Sequence, residues 1–269
     1  MNSNMRSAIA FIFLSLVLLL SGCVQTVQTN SNTGRIINKQ KALDSYIALG
    51  MAYLRQGTRD LARRNFEKAL EVNPRSHEAH NGMGLLYKLT GEIELSEKSF
   101  KRSLRENKKF SPARLNYGVF LYTQGRYQEA IDNFEVASQD LTYDRRALAL
   151  AYVGQSALKL NSKVRAKSAF EHSLNVDNNL ALAMVELAQI AFDEEDYSAA
   201  KQYIDRFATV SRPSSKSLWL GVQIERIFGN QDKEASYAIA LKNLHPYSKE
   251  YLEYKRLLGQ QVRANEQEK

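Results

Sequence analysis

Small and aromatic residues recur along this chain at intervals close to 34 positions, in four columns that keep the same spacing. In each repeat a small residue is followed twelve positions later by a second small residue. An aromatic or branched residue follows four positions after that, and a residue that is usually small follows three positions further on. The columns are Gly50, Gly84, Gly118, Gly154 and Ala188; Ala62, Ser96, Ala130, Ala166 and Ala200; Phe66, Phe100, Phe134, Phe170 and Ile204; and Ala69, Ser103, Ala137, Ser173 and Phe207. This period is typical of stacked helical hairpins. No segment alternates apolar and polar residues over a strand's length, so the pattern predicts an all-α fold.

Glycines mark where the first helix of each hairpin must end and the chain must turn. Gly57, Gly91 and Gly125 recur seven positions after the first small residue. The pattern predicts five repeats at 43–76, 77–110, 111–144, 147–180 and 181–214. A degenerate sixth repeat at about 215–248 includes Gly221, Gly229, Ala235, Tyr237 and Pro246, and residues 250–258 are predicted to form a closing helix. A weaker match is expected of a terminal capping repeat.

The columns have a packing explanation. A small residue lets two helix backbones approach closely, and the aromatic residue fills the gap to the next pair. Together with Tyr53, Tyr87 and Pro74, the columns resemble the tetratricopeptide repeat family, although Lys108 stands where the second repeat would carry proline. The resemblance implies an all-α, right-handed superhelical solenoid of about six tetratricopeptide repeats. Solenoids of this kind usually provide a binding surface and not a catalytic site.

The first 22 residues have a different pattern. Met1–Ser7 is polar, and Ala8–Leu20 is apolar apart from Ser15, a run too short to span a bilayer comfortably. This layout is typical of a secretory signal. The segment ends in Leu20-Ser21-Gly22-Cys23, which resembles the bacterial lipoprotein signal, and Cys23 is the only cysteine. The resemblance implies that residues 1–22 are removed and that Cys23 carries a diacylglycerol and an acyl chain. A plain signal peptide or an anchor helix is the alternative.

Lipidation would determine where the protein resides, because two acyl chains suffice for stable anchoring. Val24 follows the cysteine, in place of the aspartate that tends to retain such proteins at the inner membrane. We therefore expect the periplasmic face of the outer membrane. Residues 23–41 are predicted to be the lipidated cysteine and a polar tether, 42–258 the solenoid, and 259–269 a flexible tail.

Composition argues against several other classes of function. The chain has 37 Lys and Arg against 29 Asp and Glu, a net charge of +8, but both signs are interspersed, which does not suggest a nucleic-acid partner. His77 and His80 lack a third ligand, and the acidic run 193–196 lacks the spacing of a calcium loop. No nucleophile or phosphate-loop motif stands out. We predict no catalytic residues, no metal and no cofactor apart from the lipid on Cys23.

The tetratricopeptide resemblance also assigns positions on the first helix of each repeat to a concave groove. The predicted partner-binding residues are Asn81, Leu85, Lys88, Leu115, Val119, Tyr122, Gln155, Leu158, Val185, Gln189 and Phe192. Seven of them are apolar or aromatic and are expected to form one solvent-exposed track. An exposed stripe of this kind usually marks an interaction site, here for an amphipathic helix or an apolar segment.

Taken whole, the signal, the short tether and the six repeats resemble the type IV pilus biogenesis and stability lipoprotein family. This resemblance implies a pilotin, which binds secretin subunits and promotes their outer-membrane localisation and multimerisation. Nothing in the sequence demands a dimer, so the free protein is expected to be a monomer. The alternative is a periplasmic tetratricopeptide adaptor lipoprotein that scaffolds peptidoglycan hydrolases or proteases. The sequence leaves open which secretin segment is bound and which face binds it.

Overall fold

Thirteen α-helices account for all the regular structure in residues 31–267, the part of the chain that this computed structural model describes. They are α1 (Ser31–Arg55), α2 (Arg59–Val72), α3 (His77–Thr90), α4 (Ile93–Glu106), α5 (Ser111–Thr123), α6 (Tyr127–Ser138), α7 (Arg146–Lys159), α8 (Lys163–Val176), α9 (Ala181–Asp193), α10 (Tyr197–Val210), α11 (Ser215–Ile227), α12 (Gln231–Leu244) and α13 (Lys249–Gln267). The all-α prediction is confirmed. The predicted signal peptide, Cys23 and the tether up to residue 30 lie outside the described residues.

Both ends of the described chain are more helical than the sequence suggested. The chain divides into two units at Ser45, and residues 31–41, predicted as tether, belong to α1. Extending an existing helix avoids the cost of nucleation, and Gln40 Nε2 donates to Asp44 Oδ1 at 2.8 Å, one turn on. Residues 259–267, predicted as a flexible tail, likewise extend α13.

Within the second unit, the helices from α3 to α12 pair in succession as five hairpins, and the end of α1 packs on α2 where Gly50 meets Phe66, as the repeat period predicted. The aromatic column is the centre of the packing, because Phe66, Phe100, Phe134 and Phe170 are all fully buried. The small column explains how these rings fit. A Cβ atom added at Gly118 would lie 2.5 Å from Phe134 Cε1, inside van der Waals contact.

The buried residues form separate clusters along the array. A large cluster runs from Phe100 to Ile190 and joins α4 to α9. A C-terminal cluster joins α9, α10 and α11 and contains Ala188, Ile204 and Ile224. Beyond it, α13 packs on α11 and α12, with the rings of Trp219 and Tyr254 6.3 Å apart. The predicted closing helix is confirmed.

Four of the six hairpin turns use glycine in the left-handed region, at Gly57, Gly91, Gly125 and Gly229. The fourth and fifth turns use Asn161 at φ 57° and Glu195 at φ 61°. Asparagine tolerates this conformation, whereas glutamate is strained in it. We expect Glu195→Gly to raise the free energy of unfolding by about 1 kcal/mol, measured by urea denaturation. Glu194→Gly is the matched control and should lower stability, since Glu194 has φ −92°. An equal loss of stability in both variants would show that the backbone at Glu195 is not strained.

Glu97 connects the second repeat to the third. Its Oε1 accepts hydrogen bonds from Lys101 Nζ at 2.8 Å, Tyr117 Oη at 2.9 Å and Arg126 Nη1 at 2.8 Å. Burial alone would raise the pKa of Glu97, but these three donors outweigh it and lower the pKa to about 2. The ionised carboxylate thus stabilises the folded state through contacts on both sides of the repeat boundary.

This pKa predicts a specific acid dependence. The folded-state pKa lies below the ordinary 4.5, so the stabilisation is complete above about pH 4.5 and is lost as the pH falls towards 2. Between pH 7 and pH 3, we expect the free energy of unfolding of Glu97→Gln to fall by about 2 kcal/mol less than that of wild type. Urea denaturation at pH 7, 4 and 3 measures the difference. Glu94→Gln, an exposed site on the same helix, should leave the pH profile unchanged. Parallel profiles for wild type and Glu97→Gln would contradict the assignment.

Candidate partner-binding surface

The eleven residues predicted to bind a partner lie on α3, α5, α7 and α9, the first helices of repeats two to five. We call the surface of these helices and α11 the A-helix face. Asn81, Leu115 and Val185 are buried, and Leu115 is only 1% exposed. The other eight are half-buried: Leu85, Lys88, Val119, Tyr122, Gln155, Leu158, Gln189 and Phe192.

The predicted apolar track is therefore not an exposed stripe, and this part of the prediction is wrong. Leu85, Val119, Tyr122 and Leu158 pack against the large cluster, and Phe192 packs against the C-terminal cluster. The reason is that successive first helices touch one another, as α3 does with α5 and α9 with α11. Side chains between them are covered by the neighbouring repeat. The assignment of these residues to partner binding stays a prediction.

Polar side chains connect neighbouring first helices across the A-helix face. Asn116 Nδ2 of α5 donates to Asn81 Oδ1 of α3 at 3.0 Å. Glu186 of α9 accepts from Lys216 Nζ of α11 at 2.7 Å and from Gln155 Nε2 of α7 at 3.5 Å. Because the Glu186 side chain is only 13% exposed, its charge is balanced mainly by these protein donors.

Aromatic rings and a cavity flank these polar contacts. Burial raises the pKa of the Tyr122 phenol, and the phenol of Tyr127 and the carboxylate of Glu186 act in the same direction. Tyr122 therefore stays a neutral hydrogen-bond donor at neutral pH. A cavity of about 420 Å³ is lined by Gln189, Lys216, Trp219, Lys249, Glu250 and Glu253. The A-helix face thus presents hydrogen-bonding groups among aromatic rings, which suits a partly polar peptide.

Sequence reasoning missed four residues of this face, namely Asn116, Tyr152, Glu186 and Trp219. They occupy one position of the repeat, directly after a position that the family pattern assigned to the groove. The signal was present in the sequence. This column is polar or aromatic in repeats three to six, whereas the column before it is apolar in the same repeats.

The other candidate groups have structural roles. The ring of His77 meets Phe110 edge-on at 4.5 Å, and His80 Nε2 lies 3.0 Å from the carbonyl oxygen of Pro74. Burial lowers the pKa of His80. Asp196 caps α10 by accepting from a backbone N–H at 3.0 Å. Among the residues that the structure describes, no three His, Cys, Asp or Glu side chains are grouped to hold a metal ion. No helix within 31–267 is long and apolar enough to cross a membrane.

Comparison with known proteins agrees with the fold. The tetratricopeptide repeat model matches residues 47–109 and 90–141. The chain is 34% identical over 254 residues to the type IV pilus assembly protein PilF of Pseudomonas aeruginosa, covering 93% of this chain and 98% of the relative. The solved structure of P. aeruginosa PilF, at 34% identity, superposes with a TM-score of 0.78 and covers 81% of this chain and 99% of its own.

A more distant solved structure shows the same fold. PilW, described as a widely conserved type IV pilus biogenesis factor, is 24% identical, with a TM-score of 0.68 over 79% of this chain and 97% of its own. PilF and its relatives form a non-enzymatic scaffold family, and this protein is not an enzyme. Because the match to PilF spans nearly the whole length of both chains, this protein belongs to the PilF family of tetratricopeptide type IV pilus biogenesis proteins.

Proposed function

We propose that this protein is a lipid-anchored pilotin on the periplasmic face of the outer membrane. It binds secretin subunits of the type IV pilus and promotes their localisation and multimerisation there. The observation that carries the proposal is the 34% identity to PilF over 93% of the chain. The sequence Leu20-Ser21-Gly22-Cys23 supports the anchor, since an acylated cysteine with two or more chains holds a protein stably at a membrane.

The anchor would act by raising local concentration. Acyl chains on Cys23 would confine the whole protein to the membrane surface. A secretin subunit held by the repeats would stay close to the bilayer and to other captured subunits. Tethering of this kind raises effective concentration without any new contact and favours closure of the ring.

The half-buried polar and aromatic groups of the A-helix face give the solenoid a way to hold a peptide. Glu186 and Lys216 are paired to each other, so a partner would meet a preorganised surface and not a set of loose charges. Such a surface needs no catalytic group. It suits a chaperone-like escort that keeps an unassembled subunit from aggregating on its way to the membrane.

A deletion strain and a Cys23→Ala strain test the proposal. We would separate inner and outer membranes and detect the secretin on gels run without heating, so that assembled rings survive. We expect monomeric or inner-membrane secretin in both strains. A strain that produces a Val24→Ala variant is the matched control, because the cysteine and the rest of its signal are intact, and it should assemble rings normally.

Two results would contradict the proposal. Normal outer-membrane rings in the deletion strain would show that the protein is not needed for secretin assembly. If that strain also showed altered cell shape, the peptidoglycan-linked adaptor would become the better assignment. If rings form in the Cys23→Ala strain but not in the deletion strain, secretin binding remains part of the proposal and the role of the lipid is rejected.

A further inference from the structure

A groove of about 380 Å³ opens between α10, α11 and α12, and its lining is almost entirely apolar. Ile204, Phe207 and Leu218 form a buried floor. Tyr237 and Ala240 of α12 line it as well and are half-buried. We call it the C-terminal groove. It involves the second helices of the last two repeats and is separate from the residues predicted to bind a partner.

The corresponding place one repeat earlier is filled by side chains. Met184 of α9 is 1% exposed and packs with Leu174 of α8 and Phe207 of α10. Aligning Ala188 with Gly221 makes Met184 correspond to Ser217. Aligning Gly154 with Ala188 makes Leu174 correspond to Ala208. Two large side chains are therefore replaced by two small ones. The groove is open because nothing in its own repeat fills it.

Ala208 departs from the pattern of the array. Leucine stands at this position in three earlier repeats, at Leu70, Leu104 and Leu174. Ser217 has a second use, since it forms a capping box with Ser214 at the start of α11. Walls that face solvent lose packing contacts, so an unfilled groove lowers the stability of the free protein. An apolar depression kept open at the surface is typical of a binding site.

The rim of the groove is cationic. Lys233 is the charged member of the lining and is exposed. Glu225 is paired with Lys201 and Glu234 with Arg226. Asp232, the residue before Lys233, is exposed and does not line the groove, because adjacent residues of a helix do not face each other. The ammonium group of Lys233 is therefore placed to meet a carboxylate that comes from another molecule. Such a pair at the edge of an apolar site fixes orientation and selects the partner more than it adds affinity.

We infer that the C-terminal groove binds a secretin segment that presents one or two large apolar side chains beside an aspartate or glutamate. The volume is near the lower end of the roughly 300–1,000 Å³ found for ligand pockets, so the groove accepts side chains and not a whole helix. The apolar residues supply the binding energy, and the neighbouring carboxylate pairs with Lys233. The inference rests on the proposed pilotin function and assigns it a contact site.

The sharpest test fills the groove with leucine, the residue that three of the four earlier repeats carry at this position. Ala208→Leu restores leucine at its column position, and the protein should melt at or above the wild-type temperature. Ala235→Leu makes the same change at an exposed site of α12 outside the groove and is the matched control. Lys233→Glu reverses the charge at the rim. All are compared as mature, lipidated protein in detergent.

Overlapping synthetic peptides that cover the mature secretin are the binding probe. We expect wild type and Ala235→Leu to bind peptides in which a large apolar residue adjoins an acidic one. Ala208→Leu and Lys233→Glu should bind the same peptides at least tenfold more weakly. In cells, Ala208→Leu should give few outer-membrane secretin rings on unheated gels. Peptide binding that neither substitution weakens would overturn the inference.

Other outcomes separate this inference from the function beneath it. Normal rings with Ala208→Leu, beside absent rings in the deletion strain, would reject the groove and leave the pilotin role standing. Normal rings in the deletion strain would remove the function on which the inference rests. A concentration-dependent dimer that Ala208→Leu dissociates, seen by light scattering, would assign the groove to a second copy of this chain and overturn a secretin ligand.

Discussion

Gly118→Ala is expected to lower the free energy of unfolding by about 2–3 kcal/mol and the melting temperature by about 5–10 °C. Alanine normally stabilises a helix relative to glycine, so the sign of the change is itself informative. At this site the new methyl group would lie 2.5 Å from Phe134 Cε1. Phe134 is fully buried, so its ring has no free space to move into. Thermal unfolding followed by circular dichroism measures the effect.

The chain contains its own control for this clash. In the fifth repeat the small column carries Ala188 instead of glycine, and the aromatic column carries Ile204. In this repeat alanine, which is larger than glycine, therefore faces isoleucine, which is narrower than a phenylalanine ring. We expect Gly118→Ala with Phe134→Ile to recover most of the lost stability, although Phe134→Ile alone leaves a cavity. Gly259→Ala, where no atom lies within 4 Å of the new methyl group, should not destabilise the protein. A neutral Gly118→Ala would show that the helices can separate freely.

Lys201→Met should destabilise the protein by about 3 kcal/mol, because it leaves a buried carboxylate without its cation. Glu225 of α11 is 1% exposed and forms an ion pair with Lys201 of α10. Burial alone would raise the pKa of Glu225, but the hydrogen bonds from Lys201 and Asn230 outweigh it and the pKa is lowered. In the variant the Asn230 amide, at 2.6 Å, is the remaining hydrogen-bond donor to this carboxylate.

The matched variants separate the lost pair from lost packing. Lys201→Met with Glu225→Gln removes both charges and should recover at least half of the loss, measured by urea denaturation. The pKa of Glu225 is lowered on folding, so wild type should lose stability as the pH falls below the ordinary range of a glutamate. Glu225→Gln should flatten that decline. A loss below about 1 kcal/mol in Lys201→Met would mean that the ion pair is exposed and weak.

The repeat frame could be predicted because it depends on contacts within one hairpin and its neighbour. The spacing of Gly84 to Phe100 and of Gly118 to Phe134 sets which faces of two helices meet, and the structure places these rings in the core. The glycine turns follow from backbone geometry alone, and Gly91 adopts φ 81° as expected. The fold could therefore be predicted from the spacing of residues within a repeat and from local backbone conformation.

Exposure could not be predicted in the same way, because it depends on how closely successive repeats approach. Leu115 and Val185 were assigned to an open groove, yet the neighbouring helices cover them. The C-terminal groove depends on the absence of two side chains, Leu174 and Met184 having small counterparts one repeat later. It becomes visible only when the sixth repeat is aligned through Gly221, which follows Ala188 by 33 residues and not 34.

The division of the buried residues into clusters has a consequence for local unfolding. Repeat arrays open in segments, and the free energy of each opening depends on the contacts with its neighbours. Residues of α5–α8 belong to the large cluster, whereas α11 belongs to the smaller C-terminal cluster. Amide hydrogens of α11 and α12 should therefore exchange with deuterium faster than those of α5–α8. A ligand in the C-terminal groove would slow exchange in α10–α12 and leave exchange in the central helices unchanged. Amide exchange alone would therefore detect binding at this groove.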